Sequence, residues 1–225
     1  MSPLLIATNN KGKIAELQDL LNDTGIELVT PAQIGLELDV IEDGATYKEN
    51  ALKKAIAFAK ASHLVSLADD SGLEVDALGG APGLYSARYG SLNGNKLSDA
   101  ERRKYLLQKL KDKPRPWTAR FKATIAIAIP TPLTLSKAKD LFSREEPLWS
   151  LQDDSLGVIC TEGICEGEII PEERGTGGFG YDPIFLLPEL GKTMAELSME
   201  EKNRLSHRAK AVRKASEILK MLFSE

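Results

Sequence analysis

An α/β fold is what this 225-residue sequence predicts. Three observations carry it: a short apolar run leads through a polar turn into a helical period at the N-terminus. A capped amphipathic segment then leads into a second apolar run before residue 70. After residue 120 a strand-like alternation is followed, at the C-terminal end, by a helical stretch. Strands and helices that alternate along a chain call for a sheet with helices packed on it.

The elements follow in order. Leu4, Leu5 and Ile6 form a continuous apolar run suited to a strand covered on both faces. Ala7-Thr8-Asn9-Asn10-Lys11-Gly12-Lys13 is a turn rich in donors. From Ile14 the positions Ile14, Leu17, Leu20 and Leu21 keep helical spacing. Glu27 to Thr30 reads as a second short strand, stopped by Pro31. Residues 46–62 read as a helix: Thr46 and Glu49 make a capping box, and Ala51, Leu52, Ala55, Ile56 and Ala59 line one face. Leu64–Ala68 is a buried strand running into Asp69-Asp70-Ser71-Gly72, and residues 72–94 read as loop and short strand. Ser98 and Glu101 cap a helix that reaches about Leu110, and Phe121–Ile129 alternates as a strand. Residues 131–153, proline-bearing and of mixed charge, read as an excursion, a flap or a contact surface. Gly157–Gly167 suggests a hairpin and Gly175–Gly180 a glycine-dense turn. Ser198 to Phe223 is helical, with basic residues in its first half.

Composition narrows the function classes. Hydrophobic residues make up 42% and charged ones 28%, ordinary for a globular chain. The 29 basic and 33 acidic residues give a net charge of -4, which attracts neither nucleic acid nor an anionic membrane. The apolar runs are too short to cross a bilayer and the N-terminus lacks a signal-peptide shape, so the cytoplasm is the expected compartment. Cys160 and Cys165 form neither a zinc pattern nor a disulfide framework. The length suits one large α/β domain or two small lobes sharing a sheet.

Several segments carry candidate chemistry, each with a plainer alternative. Thr8, Asn9, Asn10, Lys11, Gly12 and Lys13, between a strand and a helix, present backbone N–H groups and lysines that suit phosphate oxygens. The spacing is not that of a Walker loop, and a capped turn with two solvated lysines is the commoner reading of such residues. Asp69-Asp70 follows an apolar strand, where open α/β sheets place ligands, and a hard cation such as Mg²⁺ takes carboxylates of this kind. An acidic turn is the other reading. Successive side chains of an extended chain point to opposite sides, so one of the two faces a given site. Glu42-Asp43-Gly44 offers another carboxylate or a simple turn. Of Lys53 and Lys54, at most one is a phosphate contact. In Gly177-Gly178-Phe179-Gly180-Tyr181-Asp182-Pro183 a ring can stack on a flat base, or both rings can fill the core. Lys202, Arg204, His207, Arg208 and Lys210 read as a helix surface, with Ser206-His207-Arg208 at a fresh helix start.

Taken in order, five blocks resemble the inosine triphosphate pyrophosphatase (Ham1/RdgB-like) family over nearly the whole chain. They are Ala7–Lys13, Glu49-Asn50-Ala51, the run from Ala68 to Gly83 with Tyr85–Tyr89, Gly178–Pro183, and Ser206-His207-Arg208. The resemblance implies an elongated mixed central sheet flanked by helices, two lobes with an active-site cleft between them, and a homodimer. It implies Mg²⁺-dependent hydrolysis of inosine, deoxyinosine and xanthosine triphosphates to the monophosphate and pyrophosphate. By the same resemblance, Thr8–Lys13 and Lys54 hold the triphosphate. Glu42 and Asp70 ligate Mg²⁺, Asp70 accepts the proton, and Ser71 lies beside the substrate. Phe179, Gly180, Tyr181, Asp182, Lys202, His207 and Arg208 form the base and sugar pocket. The stretch 131–153 departs from the family by its length.

Three rival readings attach to the same residues. A pyrophosphatase for a modified pyrimidine nucleotide fits the same blocks. A nucleic-acid or nucleotide binding module using the basic C-terminal stretch meets the acidic net charge and the Asp69-Asp70 pair. A haloacid dehalogenase-like phosphatase lacks its Asp-x-Asp spacing here.

Overall fold

The computed structural model of the chain describes residues 2–91, 95–130, 149–153 and 156–223. In chain order come β1 (Leu4–Ile6), α1 (Lys11–Leu21), β2 (Leu28–Val29), α2 (Tyr47–Ser62) and β3 (Ser66–Val75). Then follow α3 (Asp99–Leu110), β4 (Trp117–Pro130), β5 (Trp149–Asp153), β6 (Leu156–Ile169), β7 (Phe185–Leu187), β8 (Lys192–Thr193), α4 (Met199–Leu205) and α5 (His207–Phe223). Short 3₁₀ turns link several of them.

The strands form one open, mixed sheet in the order β2-β1-β3-β4-β6-β7-β8, with β5 paired to β6. β1 runs parallel to β2 and β3, while β6, β7 and β8 pair antiparallel. Contacts divide the chain into two compact units, residues 1–70 with 123–163 and 210–225, and residues 71–122 with 164–209. The chain passes from one to the other inside β3, β4, β6 and α5.

The first unit is layered by strand alternation. Leu4 and Ile6 of β1 and Ile125, Ile127 and Ile129 of β4 join a core with Leu17 and Leu21 of α1 and Ala211, Ala215 and Leu219 of α5. Their neighbours Leu5, Ala7, Ala126 and Ala128 join another core with Ala51, Ala55, Phe58 and Ala59 of α2. Successive strand residues point to opposite faces, so the two cores lie on the two sides of the sheet. Small alanines on the α2 side let the helix lie close. Burying Phe58 alone is worth about 2–3 kcal/mol. The second unit has its own core, in which Leu73, Leu106, Phe121, Tyr181, Ile184 and Phe185 meet.

The helix caps match expectation closely. Asn10 caps α1 by accepting from Lys13 N, so the helix begins at Lys11, three residues before its first apolar position. Thr46 caps α2 through Glu49 N, while the Glu49 carboxylate turns back to Ala45 N. Ser98 and Glu101 close a full capping box on α3.

Four expectations need correction. The strand predicted to stop at Ala68 continues to Val75, so Asp69, Asp70, Ser71 and Gly72 lie within β3 rather than in a turn after it. Lysine partners offset the two buried carboxylates, and tertiary pairing overrides the turn preference of Asp and Gly. Gly157–Gly167 is no hairpin but part of the single strand β6. Gly167 serves close approach there, since a Cβ on it would meet Leu186 O at 2.5 Å and the Phe185 ring at 2.6 Å. In the predicted excursion, residues 149–153 form β5, paired antiparallel with β6, and 131–148 lie outside the described residues. The C-terminal helical stretch is two helices, because Ser206 is extended and its hydroxyl accepts from Ala209 N to cap α5. Among the described residues no helix is long and apolar enough to cross a membrane.

Candidate active site

The first unit gathers lysines and carboxylates around the middle of β3. Asn10 N donates to Thr8 Oγ1 at 3.2 Å, and Asn10 Oδ1 accepts from Lys13 N at 3.1 Å. These bonds fold Thr8–Lys13 into a cap whose Asn9, Asn10 and Lys11 are exposed. The N–H groups of Lys11 and Gly12 stand at the helix start, where the dipole favours anions. Lys13 of the same turn reaches back to β3: its Nζ lies 2.6 Å from Asp69 Oδ1 and 3.2 Å from Asp69 O.

From the opposite side of the sheet, α2 sends Lys54. Its Nζ donates to Asp69 O at 2.9 Å and Asp70 Oδ1 at 3.1 Å, and lies 3.3 Å from Glu42 Oε1. Lys53 points elsewhere and pairs with exposed Asp43 at 2.5 Å. As expected of successive strand residues, Asp69 and Asp70 diverge, and Lys53 and Lys54 of α2 take different partners. Burial, the largest influence, pushes the Asp70 carboxyl above its ordinary range. Lys54 and Lys13 pull it back, and the neighbouring Glu42 charge pushes it up.

Two ammonium groups thus face three carboxylates, those of Glu42, Asp69 and Asp70. Glu42 and Asp70 repel one another across a single ammonium. Carboxylate oxygens gathered in this way suit a hard divalent cation. Among the described residues no cluster of three or more His, Cys, Asp or Glu side chains is arranged for a metal ion. A pair of carboxylates is enough for Mg²⁺, which completes its octahedron with water and phosphate oxygens, and too few for a closed protein cage.

The second unit builds a different surface on Gly177–Asp182. The Asp182 carboxylate is buried: its Oδ2 accepts from Lys202 Nζ at 2.7 Å and from Phe179 N at 2.9 Å. Gly178, at φ +71°, packs against that carboxylate so tightly that a Cβ there would overlap it. The half-buried Phe179 ring is flanked by two cations, with Lys202 Nζ 5.5 Å and the Arg208 guanidinium 5.7 Å from its centroid. Arg208 also donates to Ser71 Oγ at 3.0 Å. His207 is buried and stacks on Phe121, centroids 4.8 Å apart and planes 15° apart.

Tyr181 behaves differently from Phe179. Its ring lies in the core and its hydroxyl donates to Ser86 O at 2.9 Å, whereas the Phe179 ring is only half-buried. Burial holds the Tyr181 hydroxyl well above the usual phenol range. The structure therefore brings Lys13, Lys54, Glu42 and Asp70 together in the first unit. It brings Ser71, Phe179, Asp182, Lys202, His207 and Arg208 together in the second. Sequence reasoning missed the pairing of Asp69 with Lys13, the support of His207 by Phe121 and the bond of Tyr181 to Ser86. Each joins residues more than 50 positions apart, and no local signal reveals such a pair.

Comparison with known proteins identifies the family. The model of the Ham1 family matches residues 4–218. The chain is similar to a dITP/XTP pyrophosphatase of Desulforamulus reducens, 46% identical over 98% of this chain and 96% of that protein. It is similar to one of Bacillus subtilis, 40% identical over 97% and 98% respectively. Among solved structures it resembles a Ham1 protein of Coxiella burnetii (TM-score 0.75, 37% identity, covering 97% of this chain and 98% of that one). It also resembles the Staphylococcus aureus Ham1 protein (TM-score 0.74, 36% identity, the same coverages). With matches spanning both units and every segment of the lysine–carboxylate cluster, the chain belongs to the Ham1 family.

Proposed function

We propose that this protein hydrolyses inosine, deoxyinosine and xanthosine triphosphates to the monophosphate and pyrophosphate, with Mg²⁺, and so cleanses the nucleotide pool. The observation that carries the reading is the convergence of Glu42, Asp70 and Lys54, on a chain whose relatives are named dITP/XTP pyrophosphatases. The reading includes a homodimer working in the cytoplasm, with neither nucleic acid nor membrane as a partner.

In this mechanism Glu42 and Asp70 would hold Mg²⁺, which offsets phosphate charge when bound. Thr8–Lys13 bind phosphate oxygens through the helix start and the Lys13 ammonium. Lys54 donates to Asp69 O and Asp70 Oδ1 in the structure, lies 3.3 Å from Glu42 Oε1, and would trade the two carboxylates for the phosphates. Asp70 accepts the proton of the attacking water as its oxygen bonds to the α-phosphorus. The bond from that phosphorus to the bridging oxygen breaks, and pyrophosphate leaves with the electron pair. A carboxylate with an ordinary pKa is a weak base. Burial lifts Asp70 toward the operating range, and charge placement supplies the larger share of the rate.

Phe179 offers the face on which a base stacks, and Lys202, His207 and Arg208 supply donors. Donors to a 6-keto oxygen suit hypoxanthine and xanthine, and adenine leaves a donor facing its amino group. An unpaired buried polar group costs about 1–3 kcal/mol, enough to discriminate. Guanine also carries a 6-keto oxygen, so its rejection rests on the 2-amino group.

The test is a panel of purine and pyrimidine triphosphates, with and without Mg²⁺, read by pyrophosphate release. Turnover of ITP and XTP that stops when the metal is chelated is expected, and Asp70→Asn should abolish it with the fold intact. A preference for ATP, or for a modified pyrimidine nucleotide, contradicts the reading.

A further inference from the structure

The loop that carries Phe179 is held by a helix that none of the foregoing roles involves. Asp99 and Arg103 stand at positions i and i+4 of α3, on one face of its first turns. Asp99 Oδ2 accepts from Gly180 N at 2.6 Å, and Arg103 Nη1 donates to Gly180 O at 2.8 Å. Both hydrogen-bonding groups of one residue are therefore taken by side chains of one helix turn. The Arg103 fork is itself oriented, since Nε and Nη2 reach the two oxygens of Glu173 at 2.9 and 2.8 Å. Asp99 is steadied by Arg102, with which it forms an ion pair. On the other side of Phe179, its own N–H is held by Asp182. The peptide segment on both sides of the Phe179 ring is thereby pinned by three charged side chains.

We infer that Asp99 and Arg103 are positioning residues that set the Phe179 ring for the purine, and so govern nucleotide affinity and base discrimination without touching the substrate. This rests on the reading of Phe179 as the stacking surface. Bonds to charged groups are stronger than neutral ones and the Arg103 fork is bidentate, so the loop is pre-ordered before a ligand arrives. Their loss returns the ordering cost to the binding step, and KM bears it rather than the chemical step at Asp70.

The experiment compares wild type, Arg103→Met, Arg103→Lys and Asp99→Ala. The steady-state readout is pyrophosphate release from ITP, with inorganic tripolyphosphate as a competitive probe that carries no base. Amide hydrogen exchange over residues 177–182 is followed in parallel. In Arg103→Met and Asp99→Ala, KM for ITP is expected to rise about tenfold, with kcat within about twofold. Tripolyphosphate inhibition should stay unchanged, and exchange of Phe179 and Gly180 should accelerate. Arg103→Lys, which keeps the charge but not the fork, should recover part of the KM. An unchanged KM, or equal weakening of ITP and tripolyphosphate, overturns the inference. Absence of ITP turnover in the wild type refutes the proposed function instead. In that case unaltered exchange over 177–182 in the variants overturns the clamp and accelerated exchange supports it.

Discussion

Lys54 and Asp70 are 16 positions apart in sequence, yet the ammonium of one lies 3.1 Å from a carboxylate oxygen of the other. One belongs to a helix and the other to the middle of a strand, so the pair fixes α2 to β3 at the point where chemistry is proposed. Lys54→Met removes the foremost influence holding the Asp70 pKa down, leaving burial and Glu42 to push it up. Lys13 still opposes that push, but the charged, proton-accepting form of Asp70 loses its nearest ammonium. Pyrophosphate release should fall about 100-fold or more in kcat/KM, as when a charged transition-state contact is lost. The melting temperature should fall as well, because the Asp70 carboxyl stays buried and loses its ammonium partner. Lys54→Arg should recover a fraction only, since a planar fork does not replace a point charge. Wild-type turnover in the methionine variant would contradict the role.

The buried pair of Lys202 and Asp182 is a matter of stability as well as binding. Both side chains are 7% exposed and 2.7 Å apart. Lys202→Met leaves the Asp182 carboxylate buried without its ammonium, which costs about 3–5 kcal/mol. Adding Asp182→Asn should restore a large part of that loss, because an amide oxygen still serves the Phe179 N–H and no charge remains. Urea unfolding of the single and double variants measures the coupling. Additive losses would show that the two residues do not act as a pair.

What the sequence made legible follows from the range of the forces involved. Caps are local: Asn10, Thr46 and Ser98 bond within three residues, and each marks a helix start that the residue pattern also marks. The blocks Ala7–Lys13 and Ala68–Ser71 were readable because chemistry-bearing residue types cluster in them. Strand length was not readable. Asp69-Asp70-Ser71-Gly72 has the composition of a turn, and Lys13 and Lys54, arriving from two helices, help a strand to continue through it. Gly157 and Gly167 likewise signal a turn locally, whereas the second accommodates the Phe185 ring across β6 and β7. The α3 clamp joins Asp99 and Arg103 to Gly180 across 81 and 77 positions, a pairing that no window of sequence contains.

Tyr181 illustrates support from behind a site. Its hydroxyl is the donor to Ser86 O, and Ser86 Oγ in turn accepts from Leu73 N at 2.8 Å and donates to Gly83 O at 2.6 Å. Ser86 thus ties the end of β3 to the loop that carries Phe179. Tyr181→Phe keeps the ring in the core but removes the donor to a buried carbonyl, costing about 1–2 kcal/mol. A small fall in melting temperature is expected, with a larger relative change in KM for ITP than in kcat. A fall in kcat at constant KM would place the hydroxyl in the chemistry itself.

Cys160 makes a prediction about pH that does not depend on the active site. The thiol is buried against the α2 side of the sheet, and burial raises its pKa from 9.0 to about 11. The unfolded chain therefore releases this proton at lower pH than the folded one. The stabilisation is fully present below pH 9.0 and is lost as the pH climbs through about 11. The full amount is about 2–3 kcal/mol. Tyr181 is raised for the same reason and titrates higher still, so its contribution is common to wild type and to a Cys160→Ala variant. Urea unfolding of the two proteins should show the wild type losing stability more steeply between pH 9 and 11, although the variant starts lower because of the lost methylthiol packing. Iodoacetamide should modify Cys160 slowly in the native protein at neutral pH and rapidly once it unfolds, since the thiolate is the reacting form. Parallel stability profiles for the two proteins across that window would mean that the folded state tolerates the Cys160 thiolate and that burial does not govern its titration.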